Sequence, residues 1–180
     1  MEPFTLPTEL AAGPVVLRRI REDDAAAVSE AVTVSLEHLW PWMPWATAEA
    51  AALDAQRERC REAEELWDKG TDFIYHVWLP DGPLVGCVGA HRRIGPGGLE
   101  IGYWVHVEHA GNRYTTEAAR ALTPQVLRLP DVDRVEIRCD ELNHRSAAIP
   151  KRLGYRLDRI EDRDPQAPAE SPRQIIWVTP

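Results

Sequence analysis

The clearest pattern along the chain is the alternation of polar and apolar residues at 134–139, where valine, isoleucine and cysteine occupy every second position. Such alternation is typical of a β-strand with one buried face. Apolar segments bounded by turn residues predict six more strands, at residues 15–20, 73–79, 84–92, 99–107, 155–160 and 174–178. The turn at residues 80–83, which contains two prolines, joins the second and third of these seven strands into a predicted hairpin.

Apolar residues at helical spacing predict two helices between the first two strands. The first begins at Asp23 or Asp24, either of which could cap it, and ends before the proline-containing run at residues 39–45. The second begins at Thr47, a suitable capping residue, and ends at Gly70.

Two further helices are predicted in the second half of the chain. One begins near Tyr114 and contains Pro124, which should kink or shorten it. The other covers residues 143–153 and is closed by Gly154. No linker or repeat divides the chain, so we expect one mixed α/β domain over residues 1–180.

Composition narrows the classes of protein that fit this pattern. The 180 residues are 44% hydrophobic and 28% charged, as in ordinary soluble globular proteins. No apolar run reaches the roughly 20 residues that span a membrane, and the N-terminus does not resemble a secretory signal. We therefore expect a cytoplasmic protein.

Charge and potential ligand residues exclude other functions. The net charge of −8 argues against nonspecific binding of nucleic acid, and it weakly favours cationic substrates, although solubility alone explains it equally well. The three cysteines form no Cys-x-x-Cys pair, and the six histidines lack His-Glu-x-x-His spacing. No metal site is expected.

The segment at residues 100–119 carries the most chemical information. It predicts a strand, a turn containing Gly111 and Asn112, and a helix beginning near Tyr114. Unpaired N–H groups and the helix dipole make such a junction an anion site, which indicates a phosphorylated cofactor. No Gly-x-Gly-x-x-Gly follows the first strand and no P-loop is present, so neither common nucleotide motif applies.

Combined motifs in this chain resemble the GCN5-related N-acetyltransferases. Glu-Ile-Gly-Tyr-Trp at 100–104 precedes Gly-Asn-Arg-Tyr-Thr-Thr-Glu-Ala at 111–118, and Asn-His-Arg-Ser at 143–146 precedes Arg-Leu-Gly-Tyr at 152–155. A Trp-Pro-Trp-Met-Pro-Trp run is found at 40–45. The pattern is most similar to the branch that acetylates protein N-termini, the RimJ- and RimL-type ribosomal-protein acetyltransferases. The order and spacing match over residues 15–178, nearly the whole chain.

The resemblance implies an α/β fold with a twisted, mostly antiparallel sheet of six to seven strands and about four helices. The sheet is expected to be splayed between its fourth and fifth strands, with acetyl-CoA in the splay as cosubstrate. The residues implied in binding it are Val105, His106, Val107, Gly111, Asn112, Arg113, Tyr114, Thr115, Thr116, Asn143 and Ser146.

Some of these positions carry more specific expectations. Val105 and Val107 are expected to offer backbone groups to the pantetheine amides, and Asn143 both a donor and an acceptor. Arg113 replaces a glycine that the family usually has, and it either contacts the pyrophosphate or points outward. Glu108 stands where the wider superfamily often has arginine or glutamine, and a carboxylate there does not help to bind phosphate.

The same resemblance implies a catalytic pair, Glu100 and Ser146. Attack of an amine on a thioester needs a base for the amine proton and an acid for the leaving thiolate. Glu100 matches the branch's base, acting directly or through a water, and Ser146 matches a hydroxyl near the thioester sulfur. Many other members use a tyrosine as the acid, but Pro150 occupies that position here. Either residue could instead be structural, Glu100 as a solvated strand residue and Ser146 as a helix cap.

Strand alternation places Glu100, Gly102, Trp104 and His106 on one face. Together with Trp104, the tryptophans of the run are expected to line the acceptor pocket, namely Trp40, Trp42 and Trp45. A separate apolar cluster is the alternative for that run.

The predicted function is direct transfer of an acetyl group from acetyl-CoA to a primary amine, on a protein N-terminus or a small molecule. Two alternatives stay open: a non-catalytic acyl-CoA-binding module, and an acyltransferase that uses succinyl-CoA or another donor. The expected partner is the amine substrate, without nucleic acid or membrane, and a homodimer is implied by the resemblance alone.

Overall fold

The computed structural model describes residues 5–180, in which an eight-stranded sheet packs against five α-helices. The strands are β1 (Glu9–Ala12), β2 (Val15–Arg19), β3 (Asp72–Trp78), β4 (Leu84–His91), β5 (Gly98–Val105), β6 (Arg134–Asp140), β7 (Arg156–Asp162) and β8 (Arg173–Val178). The helices are α1 (Ala25–Leu39), α2 (Ala48–Ala51), α3 (Leu53–Asp68), α4 (Tyr114–Val126) and α5 (His144–Arg152).

The sheet is open between two of its strands. Its order is β1-β2-β3-β4-β5-β6-β8-β7, and every neighbouring pair is antiparallel except β5 and β6. These two pair in parallel over three residue pairs only, from Gly98–Arg134 to Glu100–Glu136, although both strands continue. The predicted splay is confirmed. The splay lies between β5 and β6, which are the fourth and fifth of the seven predicted strands. The numbers differ by one because β1 precedes all seven.

The first strand, β1, was not predicted from the sequence. Its four residues include two alanines and show no extended alternation, so they carry little strand signal. β1 pairs with β2 through a turn at Gly13, whose φ of 60° suits glycine. The count of eight strands is therefore slightly higher than the six to seven expected.

The second predicted helix is divided in two. Thr47 caps α2 as predicted, because its Oγ1 accepts a hydrogen bond from the Ala50 N–H at 3.2 Å. Ala52 then adopts an extended conformation with ψ of 144°, and α3 begins at the next residue. Asp24, predicted as a possible cap for α1, makes no capping bond and instead lies 2.8 Å from Nδ1 of the buried His76.

Alternation along β5 separates two apolar clusters on opposite faces of the sheet. Leu99 and Ile101 belong to the cluster under α4 and α5, whereas Trp104 belongs to the one under α1 and α3. Burying each such side chain contributes about 1.5–3 kcal/mol, which fixes the register of the strand. Glu100 and Gly102 therefore share the α1–α3 face with Trp104.

Helix α4 begins after a residue in the left-handed conformation. Arg113 has φ of 62° and is the one non-glycine residue with positive φ in the described part of the chain. Glycine adopts this conformation without steric cost, whereas a residue with a Cβ is strained there. This gives a physical reason for the glycine expected at this position. At the other end, α4 stops two residues after Pro124, in keeping with the expected shortening.

Candidate active site

A cleft of about 380 Å³ opens where β5 and β6 diverge. Its floor is the α1–α3 face of β4 and β5. One wall is formed by Trp42 and Trp45, which follow α1, and by Arg59 on α3. The opposite wall is formed by residues of β6, the start of α5 and the segment before β8, namely Arg138, Cys139, Asp140, Asn143, Ser146, Arg163, Glu170 and Gln174.

Glu100 lies in this cleft at the last residue pair between β5 and β6. Its side chain is 14% exposed, and its two carboxylate oxygens each accept a hydrogen bond of 2.9 Å from the Arg93 guanidinium. Two-point pairing of this kind fixes the orientation of a carboxylate. Glu100 is therefore a held, half-buried side chain that faces the cleft.

A histidine–aspartate pair lies beside Glu100. His91 is its partner across the β4–β5 ladder, and Nδ1 of His91 lies 2.5 Å from Oδ1 of Asp72 on β3. Burial and the nearby charge of Arg93 lower the pKa of His91, although Asp72 opposes the shift, so the ring is neutral at pH 7. The sequence interpretation missed this pair. Alternation along β3 and β4 is the signal that places both residues on the face of Glu100.

Ser146 lies on the opposite side of the cleft, in the first turn of α5. Its N–H donates to Oδ1 of Asn143 at 3.1 Å, so Asn143 caps the helix. The Ser146 hydroxyl oxygen lies 3.3 Å from the Tyr103 hydroxyl oxygen, and burial raises the pKa of Tyr103 well above its usual range. Oδ1 of Asn143 keeps a second lone pair beside the capping bond, and its NH₂ group remains a donor, so the donor and acceptor expected of this side chain stay a prediction.

The tryptophan residues separate into two groups. Trp42, Trp45 and Trp104 line the cleft, and the ring centroids of Trp45 and Trp104 are 6.3 Å apart with a 60° angle between the planes. Trp40 lies at the end of α1, is 43% exposed and does not line the cleft. Trp42 and Trp45 each follow a proline of the run, whereas Trp40 does not.

The end of β5 differs from its prediction. The strand stops at Val105, and His106 and Val107 enter a short 3-10 turn. The Val107 N–H donates to Oγ of Ser35 at 3.0 Å, and its carbonyl accepts the Ala110 N–H at 3.3 Å. The Val107 N–H is therefore already bonded within the protein, while its carbonyl keeps one lone pair, and the predicted contact of its backbone with pantetheine stays a prediction. Val105 remains at the edge of β5 that has no partner strand.

The start of α4 keeps the unpaired donors that the sequence predicted. The first helical hydrogen bond runs from the Glu117 N–H to the Arg113 carbonyl, at 3.0 Å. The N–H groups of Tyr114, Thr115 and Thr116 precede it and have no partner within the helix. They carry the positive end of the helix dipole, next to the left-handed Gly111 with φ of 88°.

Within residues 5–180 no group of three or more histidine, cysteine, aspartate or glutamate side chains is placed to hold a metal ion. Among the same residues no helix is both long enough and apolar enough to cross a membrane.

Comparison with known proteins identifies the family. The model of the acetyltransferase (GNAT) domain matches residues 15–156, well over half of the chain. The chain belongs to the GNAT acetyltransferases. The resemblance inferred from the sequence motifs is confirmed.

Individual proteins are similar to this chain in sequence or in fold. YdaF of Bacillus subtilis (strain 168), which carries the name of a ribosomal N-acetyltransferase, is 27% identical over 156 residues, or 83% of this chain and 81% of that protein. The ribosomal-protein-S5-alanine acetyltransferase of Vibrio fischeri has a similar fold, with a TM-score of 0.86, 16% identity and 96% of each chain covered. RimJ of Mycobacterium smegmatis gives a TM-score of 0.83 at 23% identity, over 98% of this chain and 87% of that chain.

Proposed function

We propose that this GNAT protein transfers an acetyl group from acetyl-CoA directly to a primary amine, on a peptide N-terminus or a small molecule. The observation that carries the proposal is the cleft at the β5–β6 splay, whose lining brings Glu100 and Ser146 together. Relatives of the same fold support the choice of donor, because RimJ of Mycobacterium smegmatis was solved with a CoA disulfide and the acetyltransferase MccE with acetyl-CoA.

The residues present fit a CoA thioester. The N–H groups of Tyr114, Thr115 and Thr116 suit the pyrophosphate, and the unpaired edge of β5 up to Val105 suits the pantetheine amides. The amide of Asn143 adds one donor on the opposite side. Bound here, the cosubstrate supplies an activated acetyl thioester.

Proton movement is assigned to two side chains. Glu100, oriented by Arg93, accepts the proton that the amine loses on attacking the acyl carbon, either directly or through a water. Ser146 donates its hydroxyl proton toward the departing sulfur. The neutral Tyr103 hydroxyl, 3.3 Å from the Ser146 oxygen, is placed to replace that proton.

The test is free-thiol release from acetyl-CoA, measured against a panel of amines and peptides and confirmed by mass spectrometry of the products. We expect Glu100→Gln and Ser146→Ala each to lower turnover by more than roughly tenfold, with little change in CoA affinity. Glu62→Gln, which removes an exposed carboxylate of α3 outside the cleft, is the matched control. Unchanged turnover in both cleft variants would overturn these roles.

The binding-module alternative makes a different prediction in the same assay. A module would bind CoA at the α4 start, and no amine would raise thiol release above the rate of spontaneous hydrolysis. Such a result across the whole panel, with CoA binding intact, would replace the proposed enzyme by a sensor.

A further inference from the structure

One of the four arginines that line the cleft differs from the others in its partners. Arg93 pairs with Glu100 at 2.9 Å, Arg138 with the buried Glu136 at 2.7 Å, and Arg163 with Asp140 and Glu170 at 3.0 and 2.8 Å. Arg59 forms no ion pair and no hydrogen bond to an oxygen within residues 5–180.

The groups in direct contact with Arg59 are uncharged. Its guanidinium carbon lies 6.0 Å from the centroid of the Trp45 ring, and the side chain is half-buried. It also contacts the thiol of Cys87, whose pKa burial raises to about 11 although Arg59 opposes the shift. The nearby His76 is neutral as well, because burial lowers its pKa. The Asp24 carboxylate, 2.8 Å from Nδ1 of His76, belongs to the same neighbourhood but forms no ion pair with Arg59.

A half-buried guanidinium without a counter-charge is costly, because it has left bulk water without gaining an anionic partner. Its planar array of five N–H donors matches a carboxylate in particular. The net charge of −8 predicts, if anything, a preference for cations, but that charge is distributed over the whole surface. Within the cleft, the one guanidinium without a carboxylate partner is the local feature that a ligand meets.

The position of Arg59 assigns it to the acceptor and not to the donor. It belongs to the α3 wall with Trp45, over Cys87 and its ladder partner Trp104. This wall lies on the α1–α3 face, across the cleft from Ser146 and its helix. A group held there reaches the reacting centre from the acceptor side.

We propose that Arg59 binds a carboxylate carried by the acceptor, so that the preferred substrate is an acidic primary amine. The free amino acids glutamate and aspartate and peptides beginning with an acidic residue share this chemistry. The proposal rests on the acetyl transfer proposed above, and it names the substrate class for the same cleft.

The experiment compares acceptors that differ by one charge. Acetylation of peptides beginning with glutamate or glutamine is measured with the wild-type protein, with Arg59→Gln and with Arg59→Lys, and the free amino acids form a second arm. We expect the wild type to favour the acidic acceptor by roughly tenfold or more in kcat/KM. Arg59→Gln should abolish the preference, and Arg59→Lys should keep part of it. Arg57→Gln, which alters an exposed arginine of the same helix paired with Asp54, should leave the preference intact.

Failure of this inference is distinguishable from failure of the proposed function. Transfer to both acceptors with equal kcat/KM would refute the carboxylate subsite while keeping the enzyme. If no amine is acetylated, calorimetry of the peptides beginning with glutamate or glutamine against the CoA-loaded protein still decides the matter, because these two peptides differ only in the side-chain carboxylate. Tighter binding of the glutamate peptide that is lost in Arg59→Gln supports the subsite, and equal binding refutes it. If Arg59→Gln instead lowers only the use of succinyl-CoA as donor, the arginine serves the acyl group and the acceptor proposal is wrong.

Discussion

Replacing Asp140 by asparagine should destabilise the protein by about 3 kcal/mol. The carboxylate side chain is 2% exposed and accepts four hydrogen bonds. Oδ1 accepts the Leu142 N–H at 2.9 Å, and Oδ2 accepts the N–H and hydroxyl of Ser171 and the guanidinium of Arg163 at 2.8, 3.2 and 3.0 Å. All four partners are donors, so asparagine can place its single oxygen on one side only.

The magnitude follows from the better of the two orientations. With the amide oxygen toward Ser171 and Arg163, the NH₂ group faces the Leu142 N–H and leaves that donor unpaired. Losing a hydrogen bond to a charged group costs about 1.5–3 kcal/mol, and the three remaining bonds lose their charge assistance. Arg163 still has Glu170 at 2.8 Å, so the loss should stay below the 3–5 kcal/mol of a fully broken buried ion pair.

Urea denaturation at pH 7 measures this loss as a shift in the midpoint at constant slope. Ser171→Ala is the control, because it removes one hydroxyl donor and should cost only about 1 kcal/mol. Burial alone would raise the pKa of Asp140, but bonds from Leu142, Arg163 and Ser171 outweigh it and lower that pKa below 3.8. The contribution is therefore complete above pH 3.8 and disappears only as the pH falls through the lower folded-state value. An asparagine variant within 0.5 kcal/mol of the wild type at pH 7 would contradict the reasoning.

Three further predictions concern backbone conformation and pH. Gly86→Ala should cost about 2–3 kcal/mol, since its Cβ would lie 2.4 Å from the Trp104 carbonyl oxygen; a thermal unfolding midpoint equal to the wild type would contradict the close approach. Arg113→Gly should raise stability by about 0.5 kcal/mol, because the strain relieved at the left-handed position exceeds the entropy that glycine loses on folding. Arg113→Val should lower stability, because a β-branched residue is more strained there. The reverse order in urea denaturation would show that the position is not strained. Burial lowers the folded-state pKa of His76 and His91 below 6.5, so the unfolded state binds more protons under that pH and stability should fall on acidification; a flat profile of stability between pH 7.5 and 5.5 would refute this.

Local patterns predicted most of the fold correctly. All seven strands proposed from alternation and apolar runs are present, and the cap at Thr47 formed as expected. Two elements escaped because their cause is not local. β1 is a strand because it pairs with β2, and its own residues carry little strand signal. The helix breaks at Ala52, where no proline or glycine indicates a break in the sequence.

The site was predictable in its motifs and not in its pairings. The sequence pattern brought Glu100 and Ser146 forward as candidates, and both line the cleft. The partners of these residues come from other elements, as the bonds of Glu100 to Arg93 and of Ser146 to Tyr103 illustrate. The isolation of Arg59 is a property of three-dimensional surroundings, because an arginine on a charged helix has no sequence signal that distinguishes it from its paired neighbours.

Only three residue pairs join β5 to β6, so the sheet consists of two parts with a narrow connection. We call these parts leaves: β1 to β5 form one, and β6, β8 and β7 form the other. In the proposed binding mode the cosubstrate contacts both leaves and holds them together. Its binding free energy then adds to the work needed to part the leaves. An amine that also contacts both leaves in this binding mode would bind more tightly when the cosubstrate is present, and the cosubstrate would gain affinity by the same factor.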